Sequence, residues 1–189
     1  MTPADDQPLP ALPLAPFAVA VAQVNELRGR CLDAFTRSEA AATECLAAMA
    51  QVPERGDELR LPHMVGQRLE VLAAAIGVGG PFEAEGSRAG DALERWRHHN
   101  NFRNMLCHGT SKVTLDQKGQ WTVVFRLVAL RGKRVSRETL VLAQDEAHSV
   151  RDEIIKDSRE LCTQLGQVRA SLAQLTKAAG GSTGAPRKI

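Results

Sequence analysis

The sequence predicts a mainly α protein: a four-helix up-and-down bundle with a small antiparallel β hairpin or meander inserted before the last helix. Three observations lead there. Two apolar stripes of helical period, one near each end of the chain, run much longer than a strand could. Ahead of the second stripe the pattern changes to β-branched residues punctuated by glycine turns. Composition agrees. Hydrophobic residues make up 43% of the 189, aromatics only 4%, and tyrosine is absent. The core must be mostly Leu, Val and Ala, which favours helices over a β sandwich.

Residues 1–16 are proline-rich and poor in core residues, so they read as a flexible arm. From Phe17, the residues Val21, Val24, Cys31, Phe35, Ala42, Cys45 and Met49 recur at spacings near three, four and seven. That stripe predicts one long helix ending before Pro53. Pro62 suits the first turn of a second helix. Met64, Val65, Leu69, Leu72, Ala73 and Ile76 give it an apolar face, and Gly77 to Pro81 end it. A third helix is expected from caps near Ser87 to Asp91, with Ala92, Leu93, Trp96, Phe102, Met105 and Leu106 buried. Gly109 would close it as a left-handed cap.

An insertion over about 111–142 follows. Lys112 to Asp116 alternates, Gln117-Lys118-Gly119 signals a turn, and Trp121 to Leu130 is rich in β-branched residues. Arg131-Gly132-Lys133 is a second turn and Thr139 to Leu142 a third short apolar run. Ala147, Val150, Ile154, Leu161, Leu165, Val168, Leu172 and Leu175 then define the last long helix, to Lys177. Residues 178–189 are expected to be a disordered tail. The organisation is thus a single helical domain over 17–177 between an arm and a tail.

Charge and cysteines narrow the function classes. The net charge of +2 is near balance, so its placement carries the information. Arg88 to Lys112 holds five Lys/Arg against two acids, and Arg126 to Arg137 holds five with no acid. Cys31, Cys45, Cys107 and Cys162 form no CxxC pair and read as buried thiols in a reducing compartment. No apolar run reaches the ~20 residues of a membrane span, and the N-terminus lacks the basic start of a signal peptide. A cytoplasmic protein without a membrane partner is expected. There is no Cys/His pairing of zinc-site spacing and no glycine-rich phosphate loop after a strand, so neither a metal nor a cofactor is expected.

The densest chemistry lies in Trp96 to Gly109, WRHHNNFRNMLCHG. His can exchange a proton near neutrality. The planar guanidinium of Arg fits phosphate oxygens. Arg103, Asn104 and His108 together suit phosphate-ester chemistry that uses the substrate's own hydroxyl, which RNA supplies at the ribose 2′ position. Five residues of helix turn by roughly 140°, so Arg103 and His108 share a site only if the helix ends before His108 or a two-fold axis brings two copies together. His98 and His99 read as solvated helix residues, and His63 and His148 have no assignable role. The plainer alternative pairs Arg103 with a carboxylate such as Glu70 and leaves His108 capping the helix.

Arg103-Asn104-xxx-His108 followed by Gly109 resembles the Arg-x4-6-His motif of the HEPN superfamily, late in a helix of a four-helix bundle with long outer helices. The β insertion departs from the minimal HEPN core. The resemblance implies a metal-independent endoribonuclease acting as a homodimer, in a toxin, defence or RNA-processing setting, with an antitoxin or other protein as a possible partner. It implies that His108 is the general acid or base, that Arg103 holds the scissile phosphate and that Asn104 positions one of them. Arg126, Arg131, Lys133, Arg134 and Arg137 are then candidate RNA-phosphate contacts beside the site; the plainer reading is a charged turn that protects strand edges. Some HEPN members cut nothing, so the alternative is a non-catalytic interaction, sensing or nucleic-acid-binding module.

Overall fold

The computed structural model describes residues 15–132 and 134–181, without the side chains of residues 131 and 178–181. Of the arm expected over 1–16, residues 1–14 lie outside the described residues, as do 182–189 of the tail expected over 178–189; Pro16 already belongs to the first helix and residues 178–181 to the last. The described chain is mainly helical with one small antiparallel sheet. Its elements are α1 (Pro16–Met49), α2 (Val65–Ile76), α3 (Glu83–Arg97), α4 (Asn100–His108), β1 (Thr110–Leu115), β2 (Trp121–Arg131), β3 (Arg134–Ala143) and α5 (Gln144–Gly181).

The two long stripes become the two long helices. α1 buries Val24, Leu27, Cys31, Phe35, Ala42, Cys45 and Met49, and packs along α5, which buries Ile154, Leu161, Leu165, Val168 and Leu172. Phe17, expected on the stripe, is half exposed. Burial pushes the Cys31 and Cys45 thiols up to about 11, so both stay protonated and unreactive at neutral pH. Cys107 is exposed, a correction to its expected burial.

The α1–α5 seam also fixes direction. The Ser38 hydroxyl donates to Ser158 Oγ at 2.9 Å, Ser158 donates to the Ala34 carbonyl at 2.9 Å, and Arg169 pairs with Glu44 further along both helices. Residue numbers rise together, so α1 and α5 run the same way. The first and last helices of an up-and-down bundle would run oppositely, so that alternation does not describe this chain. Both serines are fully buried, and the hydroxyl chain satisfies them. Ser158→Ala strands the Ser38 hydroxyl and should cost about 1–3 kcal/mol. Ser38→Ala leaves the Ser158 bond to Ala34 and should cost less. Changing both to Ala should cost less than the sum of the two, a non-additivity that denaturant melts of the four proteins would measure.

Two helix starts differ from expectation. α2 begins at Val65, leaving Pro62 in the preceding loop. α3 begins at Glu83, ahead of Ser87 and Asp91. A clamp holds the start of α3: Arg55 binds both carboxylate oxygens of Glu85 at 2.7 and 2.9 Å, binds the Pro81 carbonyl, and lies over the buried Phe82 ring. The hydrogen bond from Arg55 holds the Glu85 carboxyl below its ordinary pKa. The expected third helix is divided in two at His98 and His99, so the described residues contain five helices. Trp96 packs on Phe35 of α1, while Phe102 packs edge-on against Phe125 of β2. Six residues of unbroken helix would set these rings about 120° apart, and the break lets each reach its own partner.

The sheet has order β1-β2-β3. Asp116 Oδ1 accepts from the backbone amides of Lys118 and Gln120, both at 2.8 Å, and Gly119 takes φ +79° to close that turn. Trp121, Val123, Phe125 and Leu142 are buried on the inner face. Trp121 Nε1–H donates to Gln23 Oε1 at 2.8 Å, tying the sheet to α1.

Candidate functional site

α4 is amphipathic by construction. Phe102, Met105 and Leu106 are buried, and Asn100, Asn101, Asn104, Cys107 and His108 are exposed. The sequence of α4 contains no acid. Its C-terminus is held from across the fold: Arg28 of α1 donates to the Leu106 carbonyl at 2.8 Å and lies 3.4 Å from Ser111 Oγ. That cation satisfies one of the carbonyls a helix end leaves unpaired.

Gly109 ends α4 in an extended conformation, φ −82° and ψ 147°, rather than the expected left-handed one. A glycine is still required there. A β-carbon would sit 2.5 Å from the Met105 carbonyl oxygen and 3.3 Å from that of Arg126. The chain can therefore pass straight from His108 into β1.

The motif residues separate on this frame. Arg103 turns to α1, where its Nη2 lies 3.2 Å from Glu39 Oε1, with the two side chains 30% and 22% exposed. Its carboxylate partner is thus Glu39. Glu70, the sequence candidate, instead pairs with Arg97. Asn104 and His108 are one turn apart on the exposed face. The helix runs intact through His108, so Arg103 and His108 stand roughly 140° apart around it. One copy of α4 does not bring them together.

The basic run also separates, because strand neighbours alternate faces. The register pairs Arg126 with Thr139 and Arg137 with Val128, on the outer face. Lys112 pairs with Val124 on the same face, and Thr110 with Arg126. Lys112, Arg126 and Arg137 are all exposed, and no acid lies on this face in the described register. Arg134 falls on the opposite face, with Glu138, which corrects its grouping with Arg126 and Arg137. Lys133 and the Arg131 side chain lie outside the described residues. The outer face begins at Thr110, two residues after His108. Lys112 was missed in the sequence because it precedes the basic run and joins it only through pairing.

A second polar group sits at the α3–α4 break. His99 Nε2 lies 2.8 Å from Asp157 Oδ2 of α5, with side chains 11% and 14% exposed, and the His99 ring meets Trp96 edge-on. The sequence reading of His99 as a solvated helix residue is corrected: the break turns it inward. His98 stays exposed, its Nδ1 2.8 Å from the Glu94 carbonyl. His148 packs edge-on to Trp121.

Comparison with protein families, with characterised proteins and with solved structures finds no match to this chain.

Proposed function

We propose that the chain is a metal-independent endoribonuclease of HEPN type, working as a homodimer. The observation that carries this reading is α4. It presents Asn104 and His108 on an exposed face of a helix whose sequence holds no acid, and it turns Arg103 in another direction, toward Glu39 of α1. Two copies of α4 related by a two-fold axis would let Arg103 of one meet His108 of the other, which the spacing denies to a single chain.

In this reading RNA enters along the outer face of the sheet, where Lys112, Arg126 and Arg137 meet phosphates. Arg103 exchanges Glu39 for the scissile phosphate, a swap between two oxyanions that its planar fork fits equally. His108 takes the proton of the 2′-hydroxyl. The 2′ oxygen attacks phosphorus, the bond to the 5′ oxygen breaks, and that oxygen takes its proton from water. The products are a 2′,3′-cyclic phosphate and a 5′-hydroxyl. Arg103 stabilises the charge that builds on the phosphate oxygens.

The test is cleavage of end-labelled single-stranded RNA in the presence of EDTA. Fragments ending in a 2′,3′-cyclic phosphate are expected, and a 2′-deoxy substitution at the cut position should block that cut. Failure to cut RNA, or fragments with other ends, would sink the proposal. The Arg103–Glu39 ion pair favours a second reading, in which Arg103 is structural and the same surfaces bind RNA or a protein partner, such as an antitoxin, without cutting. RNA binding with no cleavage would decide for it.

A further inference from the structure

His99, Glu153 and Asp157 belong to no part of the chemistry described for α4. His99 comes from the α3–α4 break, and Glu153 and Asp157 lie one turn apart on α5. One imidazole nitrogen and one oxygen from each carboxylate all lie within 4.8 Å of one another. They open into a cleft of about 580 Å³, also lined by Arg95, His98, Lys156 and Glu160. Three carboxylates against two cations leave this cleft net negative when its histidines are neutral.

We propose that His99, Glu153 and Asp157 bind a divalent first-row transition-metal ion. The donor set is one borderline nitrogen and two hard oxygens, which suits Mn²⁺ or Zn²⁺ and gives no soft ligand for copper(I). The geometry is close to what such an ion needs. Adjacent ligands at bonds of about 2.1 Å and right angles stand about 3 Å apart, and His99 Nε2 and Asp157 Oδ2 are 2.8 Å apart. Two of the three side chains are mostly shielded from solvent, so little freedom is lost when they ligate. Carboxylates four residues apart on a helix repel, and a cation between them converts that repulsion into attraction. Three protein ligands at an open cleft leave room for water in the remaining positions.

The ion ties the α3–α4 break to α5, one turn before Arg103. Its role is to hold His99 against α5. It contributes no metal to the Arg103 and His108 chemistry. The competing account is that His99 and Asp157 form a hydrogen-bonded pair and nothing more. Glu153 separates the two accounts: it is exposed, it takes no part in the pair, and only the metal needs it.

The experiment is calorimetric titration of the full chain, first stripped with EDTA and dialysed, with MnCl₂. One Mn²⁺ per chain is expected, together with a rise in melting temperature at saturation. Glu153→Gln and Asp157→Asn should each weaken binding at least tenfold. His98→Gln, which alters a neighbouring exposed histidine, should leave it unchanged. Wild-type protein with no saturable Mn²⁺ binding overturns the proposal, and so does Glu153→Gln with wild-type affinity. If Asp157→Asn does not fold, Glu153→Gln alone decides, because its side chain lies outside the core.

Discussion

His108→Ala is expected to slow RNA cleavage by a factor of about 10²–10⁴, the usual contribution of a positioned acid or base. It should leave the melting temperature almost unchanged. His108 is exposed on the last turn of α4 and its side chain makes no hydrogen bond or ion pair among the described residues, so its removal breaks no polar contact. Arg103→Ala should be as inactive, and it should lower stability more than His108→Ala does, because it leaves the Glu39 carboxylate, 22% exposed, without its partner. Mixing the two inactive proteins after subunit exchange is the sharper measurement. Half of the dimers formed are then mixed, and in each mixed dimer one of two sites holds both an intact Arg103 and an intact His108. About a quarter of wild-type activity should return if the site is shared across a two-fold axis. A site contained in one chain would return none. Undiminished cleavage by His108→Ala would end the enzymatic reading, whereas inactive single variants with no recovery would end only its two-copy part.

The helical elements were legible because their causes are local. A stripe of period 3.6 from Val24 to Met49 has one economical interpretation, and so do β-branched residues between Gly119 and Gly132. The relative direction of α1 and α5 was not legible, because an apolar stripe reads the same from either end. It shows in Ser38 on Ser158 and Arg169 on Glu44, pairs more than a hundred residues apart. The break at His98 and His99 carries no proline or glycine. It comes from the competing demands of Trp96 and Phe102, which only their distant partners reveal. That one break misassigned His99, since it ends the helical phase that counted the residue as solvated. Arg103 and His108 were legible as a pair of residue types. Their divergence followed from spacing once Gly109 was seen to end the helix after His108, not before it. Glu39, Arg28 and Asp157, which hold α4 and its approach in place, have no sequence signal near the motif.

Trp96→Ala should be the most destabilising single change near the site. The residue is 1% exposed, and its ring packs at a tilt against Phe35 with centroids 4.9 Å apart and meets the His99 ring at 5.6 Å. Emptying such a position costs about 3–5 kcal/mol, the lost transfer energy plus the cavity left behind. For a chain of this size that corresponds to a melting temperature lower by roughly 10 °C. Trp96→Phe keeps a ring against Phe35 and should lose less than half as much. The effect should also reach the site, because Trp96 fills the inner corner where α3 turns into α4. Without it His99 loses its ring neighbour, and α4 loses the wedge that sets its angle. Trp96→Ala should therefore weaken the His99–Asp157 contact, and with it Mn²⁺ binding, while Trp96→Phe preserves both. Calorimetric melts of the two variants, each with and without MnCl₂, test this. An equal loss in both would mean that indole volume alone matters at this corner. A small loss in Trp96→Ala would mean that α3 and α4 are positioned by something other than this ring.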